Sequence, residues 1–208
     1  MLAVIDLGLT ILGNGCFIGD VARCRADARG SVGLQLVRAV RWSLDEARIA
    51  LMGITDGEFF IAIEDNEIRG SVYELACEMA LRPAKLIHPT AIISPSAQIG
   101  EGSIVLERAV VNAAAVVGRD CVVGVTATVD HDCTLGDHVH LQTRVALGGD
   151  VRIGRLADVG IGATILPGVQ IGDAAFIGPR SVVIRNVPRG ARISGIPART
   201  ILAAEETV

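Results

Sequence analysis

Residues 117–153 read VGRDCVVGVTATVDHDCTLGDHVHLQTRVALGGDVRI, and every sixth residue of that segment, counted from the first, is aliphatic. The same spacing runs without a break from Ile87 to Val183, seventeen aliphatic residues in all. Four positions after each of them stands a small or β-branched residue, and the position directly after is often glycine. A period of six matches neither the 3.6-residue period of an α-helix nor the two-residue period of a single strand. It is a signature of a parallel β-helix.

The repeat predicts coils of three short strands, in which one aliphatic side chain per strand points inward. Successive coils would stack at about the usual strand spacing of 4.8 Å. We expect the small residues at the fourth position to fit the tight corners, and the glycines to supply the backbone angles that a corner needs. The narrow interior agrees with the aromatic content, because Phe176 is the one aromatic residue within the repeat.

The repeat divides the chain into three predicted parts. Residues 1–84 contain two strand-like segments and an amphipathic helix over 66–81, and are predicted to form a small α/β, Rossmann-like domain. Residues 85–187 form the mostly β part, the parallel β-helix, and residues 188–208 form a tail. Because the open ends of a β-helix would pair with other chains, we expect the first and third parts to cap them.

Composition argues against several classes of partner. A formal net charge of −4 leaves no basic footprint for nucleic acid. Apolar runs fall short of the roughly 18 residues of a membrane span, and no signal peptide is recognisable, so a cytoplasmic protein without a membrane partner is expected. The five cysteines show no metal-ligand spacing. Cys121 and Cys133 take the small-residue position of the repeat and are expected to be buried thiols.

Three of the four histidines, His131, His138 and His140, lie within ten residues, and none takes an inward position. His131 is followed at once by Asp132, and an imidazole with a neighbouring carboxylate is suited to accept a proton near neutral pH. Spacing alone leaves two interpretations of His131 open, a general base and a polar corner. A zinc hydratase built on such a coil would need metal ligands about one coil apart in the chain. These three histidines lie closer together than that, so no metal is expected.

Seven segments of the chain form a recognisable pattern: LIHPTA (86–91), HDC (131–133), LGD (135–137), VHL (139–141), LGG (147–149), IGATILPG (161–168) and GIPAR (195–199). Together they resemble the sialic acid O-acetyltransferase and nucleotide-amino-sugar N-acetyltransferase family of hexapeptide-repeat acyltransferases. The resemblance covers roughly residues 57–202.

The resemblance implies a left-handed β-helix, an exception to the usual right-handed crossover, and a homotrimer with an acetyl-CoA site in each groove between subunits. His131 would be the general base on a sugar amine or hydroxyl, and Asp132 would orient it. His140 would lie near the thioester and Ile161 would line the pantetheine channel. The Gly149 N–H would donate to the carbonyl oxygen as negative charge develops there. The sugar is expected to be nucleotide-linked.

In this family a glycine loop and a Gly-Asp-Asn motif approach the nucleotide-sugar. The resemblance therefore implies that Gly13, Gly15, Asp65 and Asn66 bind the substrate. The loop lacks its third glycine, and the motif begins with Glu64, which adds a negative charge where a diphosphate would sit.

Two segments inside the catalytic stretch also depart from the family pattern, residues 124–126 and 142–144. They bear on the acceptor side of the expected site more than on His131 itself. Two alternatives to a nucleotide-sugar acetyltransferase therefore stay open, an acetyltransferase with a non-nucleotide acceptor and a catalytically inactive β-helix scaffold.

Overall fold

The structure is a computed structural model that describes residues 9–13, 34–37, 51–52 and 58–201 of the 208-residue chain. Strands β1 (Leu9–Gly13), β2 (Leu34–Val37), β3 (Glu58–Ala62) and β4 (Arg82–Pro83) form one parallel sheet in the order β2-β1-β3-β4. Helix α1 (Asn66–Glu78) lies between β3 and β4. The Rossmann-like assignment stays a prediction, because the segments that join β1, β2 and β3 lie, apart from residues 51–52, outside the described residues.

Helix α1 begins where the Asp65 carboxylate accepts hydrogen bonds from the N–H groups of Glu67 and Ile68, the usual role of an N-cap. The predicted helix over 66–81 is confirmed up to Glu78. It ends there because Ala80 takes a left-handed backbone, with φ of 58°. The chain is then extended toward β4, which contains a proline.

The repeat forms two-residue strands that fall on three faces. Face 1 consists of β5 (Leu86–Ile87), β8 (Ile104–Val105), β11 (Val122–Val123), β14 (His140–Leu141), β17 (Asp158–Val159) and β20 (Phe176–Ile177), extended by β22 (Arg192–Gly195) and β23 (Ala198–Thr200). Face 2 consists of β6 (Ile92–Ile93), β9 (Val110–Val111), β12 (Thr128–Val129), β15 (Ala146–Leu147), β18 (Thr164–Ile165) and β21 (Val182–Val183). Face 3 consists of β7 (Gln98–Ile99), β10 (Val116–Val117), β13 (Thr134–Leu135), β16 (Arg152–Ile153) and β19 (Gln170–Ile171).

The register between neighbouring coils confirms the predicted parallel coil of three strands. Val117 pairs with Leu135, eighteen residues later, and each face repeats this offset up to β21. The second residue of each strand points inward, and these residues form one continuous buried core with the small residues at the fourth position. Cys121 and Cys133 are both buried free thiols in that core, as predicted.

The glycines have a different role from the one expected of them. From Ile99 to Ile177, left-handed backbone falls on the third residue after each inward position, mostly on residues other than glycine, such as Asp132 at φ 59° and Arg144 at φ 62°. A Cβ on Gly118, directly after an inward valine, would lie 2.7 Å from the backbone carbon and oxygen of Gly136. The prediction that these glycines supply corner angles is therefore wrong. They are small because adjacent coils approach closely there.

The described residues of the first part pack against the side of the β-helix. Phe60, Ala62 and Ala84 form a hydrophobic cluster with the outward residues of face 1, Leu86, Ile104 and Val122 among them. The inward residues of the first coil, such as Ile93, stay only partly buried. The expectation that this part caps an end of the coil stays a prediction. Its described residues cover the outward residues of the first face 1 strands, which are apolar and need cover.

A fully buried charged side chain fastens α1 to the coil. Nε of Arg69 lies 3.1 Å from Oδ2 of Asp120, and Nδ1 of His138 lies 2.8 Å from the same oxygen. One guanidinium nitrogen of Arg69 donates to the His138 carbonyl at 2.8 Å and the other to the side chain of Asn66 at 2.7 Å. We call Arg69, Asp120 and His138 the buried polar cluster. Sequence reasoning missed it, since an arginine on a helix is usually exposed.

Candidate active site

His131 lies at the corner between faces 2 and 3, directly after β12. Its Nδ1 is 2.8 Å from Oδ2 of Asp132, and about 60% of its side chain is exposed. The hydrogen bond to Asp132 raises the pKa of His131, and the negative charge of Asp130 adds to this. Because a carboxylate only accepts, Nδ1 carries the hydrogen, and Nε2 is left with its lone pair. His131 can therefore take a proton through Nε2.

Gly149 occupies the same corner one coil further along the chain. A Cβ at this position would lie 2.6 Å from both Cε1 and Nε2 of His131, so the imidazole lies directly against the glycine. The carbonyl of Gly149 accepts a hydrogen bond from the N–H of Gly168 at 2.9 Å. Within the described part of the chain its N–H has no hydrogen-bond acceptor. The corner thus combines a proton acceptor with a free backbone donor.

A cavity of about 610 Å³ opens at the corner between faces 1 and 2. It contains two residues expected at the acetyl-CoA site, His140 and Ile161, and one expected to bind the acceptor, Asp65. Burial lowers the pKa of His140 to about 4, with the charge of Arg69 adding to the effect, so this imidazole is neutral near pH 7. The lining residues are Glu64, Asp65, Leu106, Val122, Gly124, Val125, His140, Gln142, Thr143, Asp158 and Ile161.

The other residues predicted to bind the substrate lie elsewhere. The Asn66 side chain is buried and donates to the backbone carbonyls of Leu156 and Ala157 at 3.2 and 3.1 Å. It therefore holds α1 against the coil. Gly13 ends β1, where it pairs with Ala62. Gly15 lies outside the described residues.

The predicted site residues thus form two groups on adjacent corners of the coil. His131, Asp132 and Gly149 lie at the corner between faces 2 and 3, whereas His140 and Ile161 lie in the cavity between faces 1 and 2. None of the first group lines the cavity. Face 2 separates the two groups within one chain.

Sequence reasoning missed Asp158 and Gln142 as members of the cavity. Asp158 pairs with His140 on the neighbouring coil, so their side chains leave face 1 side by side. Nε2 of Gln142 donates to Oδ1 of Asp158 at 3.0 Å, and Oε1 of Gln142 accepts from the N–H of Ile161 at 3.2 Å. Burial raises the pKa of Asp158. Comparing residues eighteen apart, one coil, would have paired Asp158 with His140 from the sequence.

The described residues contain no group of three or more His, Cys, Asp or Glu side chains placed to hold a metal ion. Among their helices, none has the length and apolar character to cross a membrane.

Comparison with known proteins places the whole chain beside two solved structures, although no family model matches it. One is a histidine-to-asparagine mutant of perosamine N-acetyltransferase from Caulobacter crescentus in complex with CoA and GDP-perosamine. It is 32% identical, with a TM-score of 0.87 over 98% of this chain and 100% of that one. The other is the acetyltransferase domain of PglB from Neisseria gonorrhoeae in complex with acetyl coenzyme A. It is 30% identical, with a TM-score of 0.83 over 94% of this chain and 100% of that one.

Curated relatives match over shorter segments of the chain. A chloramphenicol acetyltransferase from Morganella morganii is 47% identical over 53 residues, 26% of this chain and 25% of that protein. Segments of this kind span about a third or less of the length of the curated relatives. The full-length matches confirm the resemblance found in the sequence, and the chain belongs to the sialic acid O-acetyltransferase and nucleotide-amino-sugar N-acetyltransferase family of hexapeptide-repeat acyltransferases.

Proposed function

We propose that this protein transfers the acetyl group of acetyl-CoA to an amino group of a nucleotide-linked sugar, with His131 as the general base. One observation carries the proposal, the His131–Asp132 pair lying directly against Gly149 at a corner of the coil. The same proposal includes two structural features that family membership supports. The coil is left-handed, and the first part of the chain is Rossmann-like.

The chemistry follows from the two groups at that corner. Nε2 of His131 takes a proton from the acceptor nitrogen as this nitrogen attacks the thioester carbon, and Asp132 holds the imidazolium that results. The carbonyl oxygen becomes an oxyanion and accepts a hydrogen bond from the Gly149 N–H. Collapse of the intermediate breaks the C–S bond, and the leaving thiolate takes the proton from His131.

The cavity supplies the surroundings for the two substrates. The neutral imidazole of His140 offers a hydrogen bond near the thioester without adding a charge. Ile161, 46% exposed, offers apolar surface to the pantetheine chain. The acceptor reaches the cavity from the first part of the chain, where Asp65 stands at its rim and the segment after β1, with Gly13 and Gly15, would bind the nucleotide.

A homotrimer would join the two groups of site residues. The outward residues of face 2 carry no charge and are exposed or partly exposed: Ile92, Val110, Thr128, Ala146, Thr164 and Val182. Three copies with this face turned toward a common axis would place the His131 corner of each against the cavity corner of its neighbour. Each site would then take its base from one subunit and its cavity from the next.

The first experiment measures CoA release from acetyl-CoA with GDP-, UDP- and dTDP-linked amino sugars and sialic acid. Wild type should turn over one acceptor, and His131→Ala should lower its kcat by at least about 100-fold. Thr134→Ala, an exposed change on face 3 near the same corner, serves as the control and should keep full activity. Full turnover by His131→Ala would refute the assignment of the base.

Mixed trimers test whether the site lies between subunits. His131→Ala and His140→Ala are each expected to be nearly inactive alone. When the two variants are coexpressed, a mixed trimer contains at least one interface with an intact His131 and an intact His140, so activity should return. No recovery in trimers shown by mass to be mixed would contradict a shared site.

A further inference from the structure

Asp158 stands where face 1 changes from a covered surface to an open one. On the earlier coils the outward residues Ile104 and Val122 are buried beneath the first part of the chain. The next two are His140 and Asp158, which line the cavity, and the one after is Phe176, covered by the Arg192 guanidinium at 4.2 Å. Asp158 is therefore a carboxylate in a row whose other members from Leu86 to Phe176 are apolar, aromatic or imidazole side chains, with the cationic Arg192 next after Phe176.

The carboxylate of Asp158 is held in one orientation with one oxygen free. Oδ1 accepts the hydrogen bond from Gln142, which is itself fixed by the N–H of Ile161. Oδ2 makes no hydrogen bond or ion pair within the described part of the chain. A half-buried, oriented carboxylate with a free oxygen favours a ligand that brings a hydrogen-bond donor, and most of all a positively charged one.

The charges that line the cavity point the same way. Burial raises the pKa of Asp158, and the negative charge of Asp65, which lines the cavity opposite the coil, adds to this, whereas the hydrogen bond from Gln142 and the charges of Arg69 and Arg192, outside the lining, lower it. His140 is neutral, and the described lining contains no lysine or arginine. A cation between Asp65 and Asp158 would relieve their repulsion, whereas a phosphate group there would increase it.

We propose that Asp158 is the specificity-determining residue that receives the amino group of the acceptor, with Gln142 as the residue that positions it. The inference rests on the proposed function and makes it more specific. The free oxygen accepts a hydrogen bond from the acceptor's ammonium, which releases one proton to solvent before attack. His131 takes the second proton as the C–N bond forms. A sugar with a hydroxyl at that position lacks the charge, so the site selects N-acetylation over O-acetylation.

Asp158→Asn tests the proposal, because an asparagine oxygen still accepts from Gln142 while the charge is removed. Acetyl-CoA turnover is measured with GDP-perosamine, or with the best amino sugar of the panel, and with the same sugar bearing a hydroxyl in place of the amine. Wild type should prefer the amine at least 100-fold in kcat/KM. Asp158→Asn should reduce that preference to 10-fold or less by raising KM for the amine, and KM for acetyl-CoA should stay within twofold.

Two further variants separate a binding role from a structural one. Asp173→Asn makes the same change at a carboxylate that accepts from the N–H of Arg155, outside the cavity, and should alter neither preference nor KM. Gln142→Ala frees the Asp158 carboxylate and should raise KM for the amine about threefold.

Each remaining outcome is decisive. The role of Asp158 would be overturned if Asp158→Asn lowered kcat/KM equally for the amine and hydroxyl sugars. It would also be overturned if the variant raised only the KM for acetyl-CoA. Turnover by wild type with an unchanged preference in Asp158→Asn would overturn this inference and leave the proposed function standing. No turnover by wild type with any acceptor would overturn both.

Discussion

Replacing Arg69 by methionine should cost more stability than any exposed charge change on this protein. The substitution keeps an unbranched apolar stem but leaves Asp120 buried without its cation. It also removes the donors to the carbonyl of His138 and the side chain of Asn66. Breaking a buried ion pair by removing one partner costs about 3–5 kcal/mol. With an m-value of about 2 kcal/mol per M urea, the unfolding midpoint should fall by about 2 M.

Arg119→Met is the matched control, because it removes an arginine that also pairs with carboxylates at the junction of α1 and the coil. Arg119 contacts Asp137 at 2.8 Å and Glu74 at 3.4 Å, but 48% of its side chain is exposed. Exposed pairs contribute about 0–1 kcal/mol. Urea unfolding is followed by circular dichroism at one protomer concentration, since self-association changes apparent stability. If the two variants differ by less than about 1 kcal/mol, the reasoning on buried charge is refuted.

Three further predictions concern the corner that carries His131 and the stacking of the coils. Asp132→Asn removes the main cause of the raised pKa of His131. In a plot of kcat/KM against pH, the fall in rate on the acidic side should therefore begin at lower pH than in wild type. An acidic side that does not move would contradict the pairing of His131 with Asp132. Gly149→Ala places a methyl group 2.6 Å from the His131 ring. It should lower kcat at least about tenfold while the circular dichroism spectrum stays unchanged. Full activity would show that the contact does not matter. Gly118→Ala forces a Cβ to within 2.7 Å of the Gly136 backbone. It should lower the free energy of unfolding, measured by urea denaturation, by about 1–3 kcal/mol. Wild-type stability would refute the close approach between coils.

The repeat could be predicted in detail because its cause is local. Each hexad carries its own inward residue and its own small residue, so Val117 and Leu135 could be placed in the core without knowledge of the rest of the chain. The pairing of His131 with Asp132 was equally accessible, because the two residues are adjacent and share one corner. The prediction that the glycines supply corner angles is wrong, because the conformational preference of a single residue says nothing about how closely the next coil approaches.

The spacing of six residues, the identity of the inward side chains and the candidate base all follow from the order of amino acids, since they depend on neighbours within one coil. The contacts that make a site depend on residues far apart in the chain, which meet only when the coils stack and α1 docks. Gly149 reaches His131 across one coil, and Arg69 reaches Asp120 and His138 across 51 and 69 residues. A free carboxylate oxygen at Asp158 and a buried charge at Arg69 are properties of those surroundings. Tertiary structure alone decides them, because burial and orientation are set by what packs around a side chain.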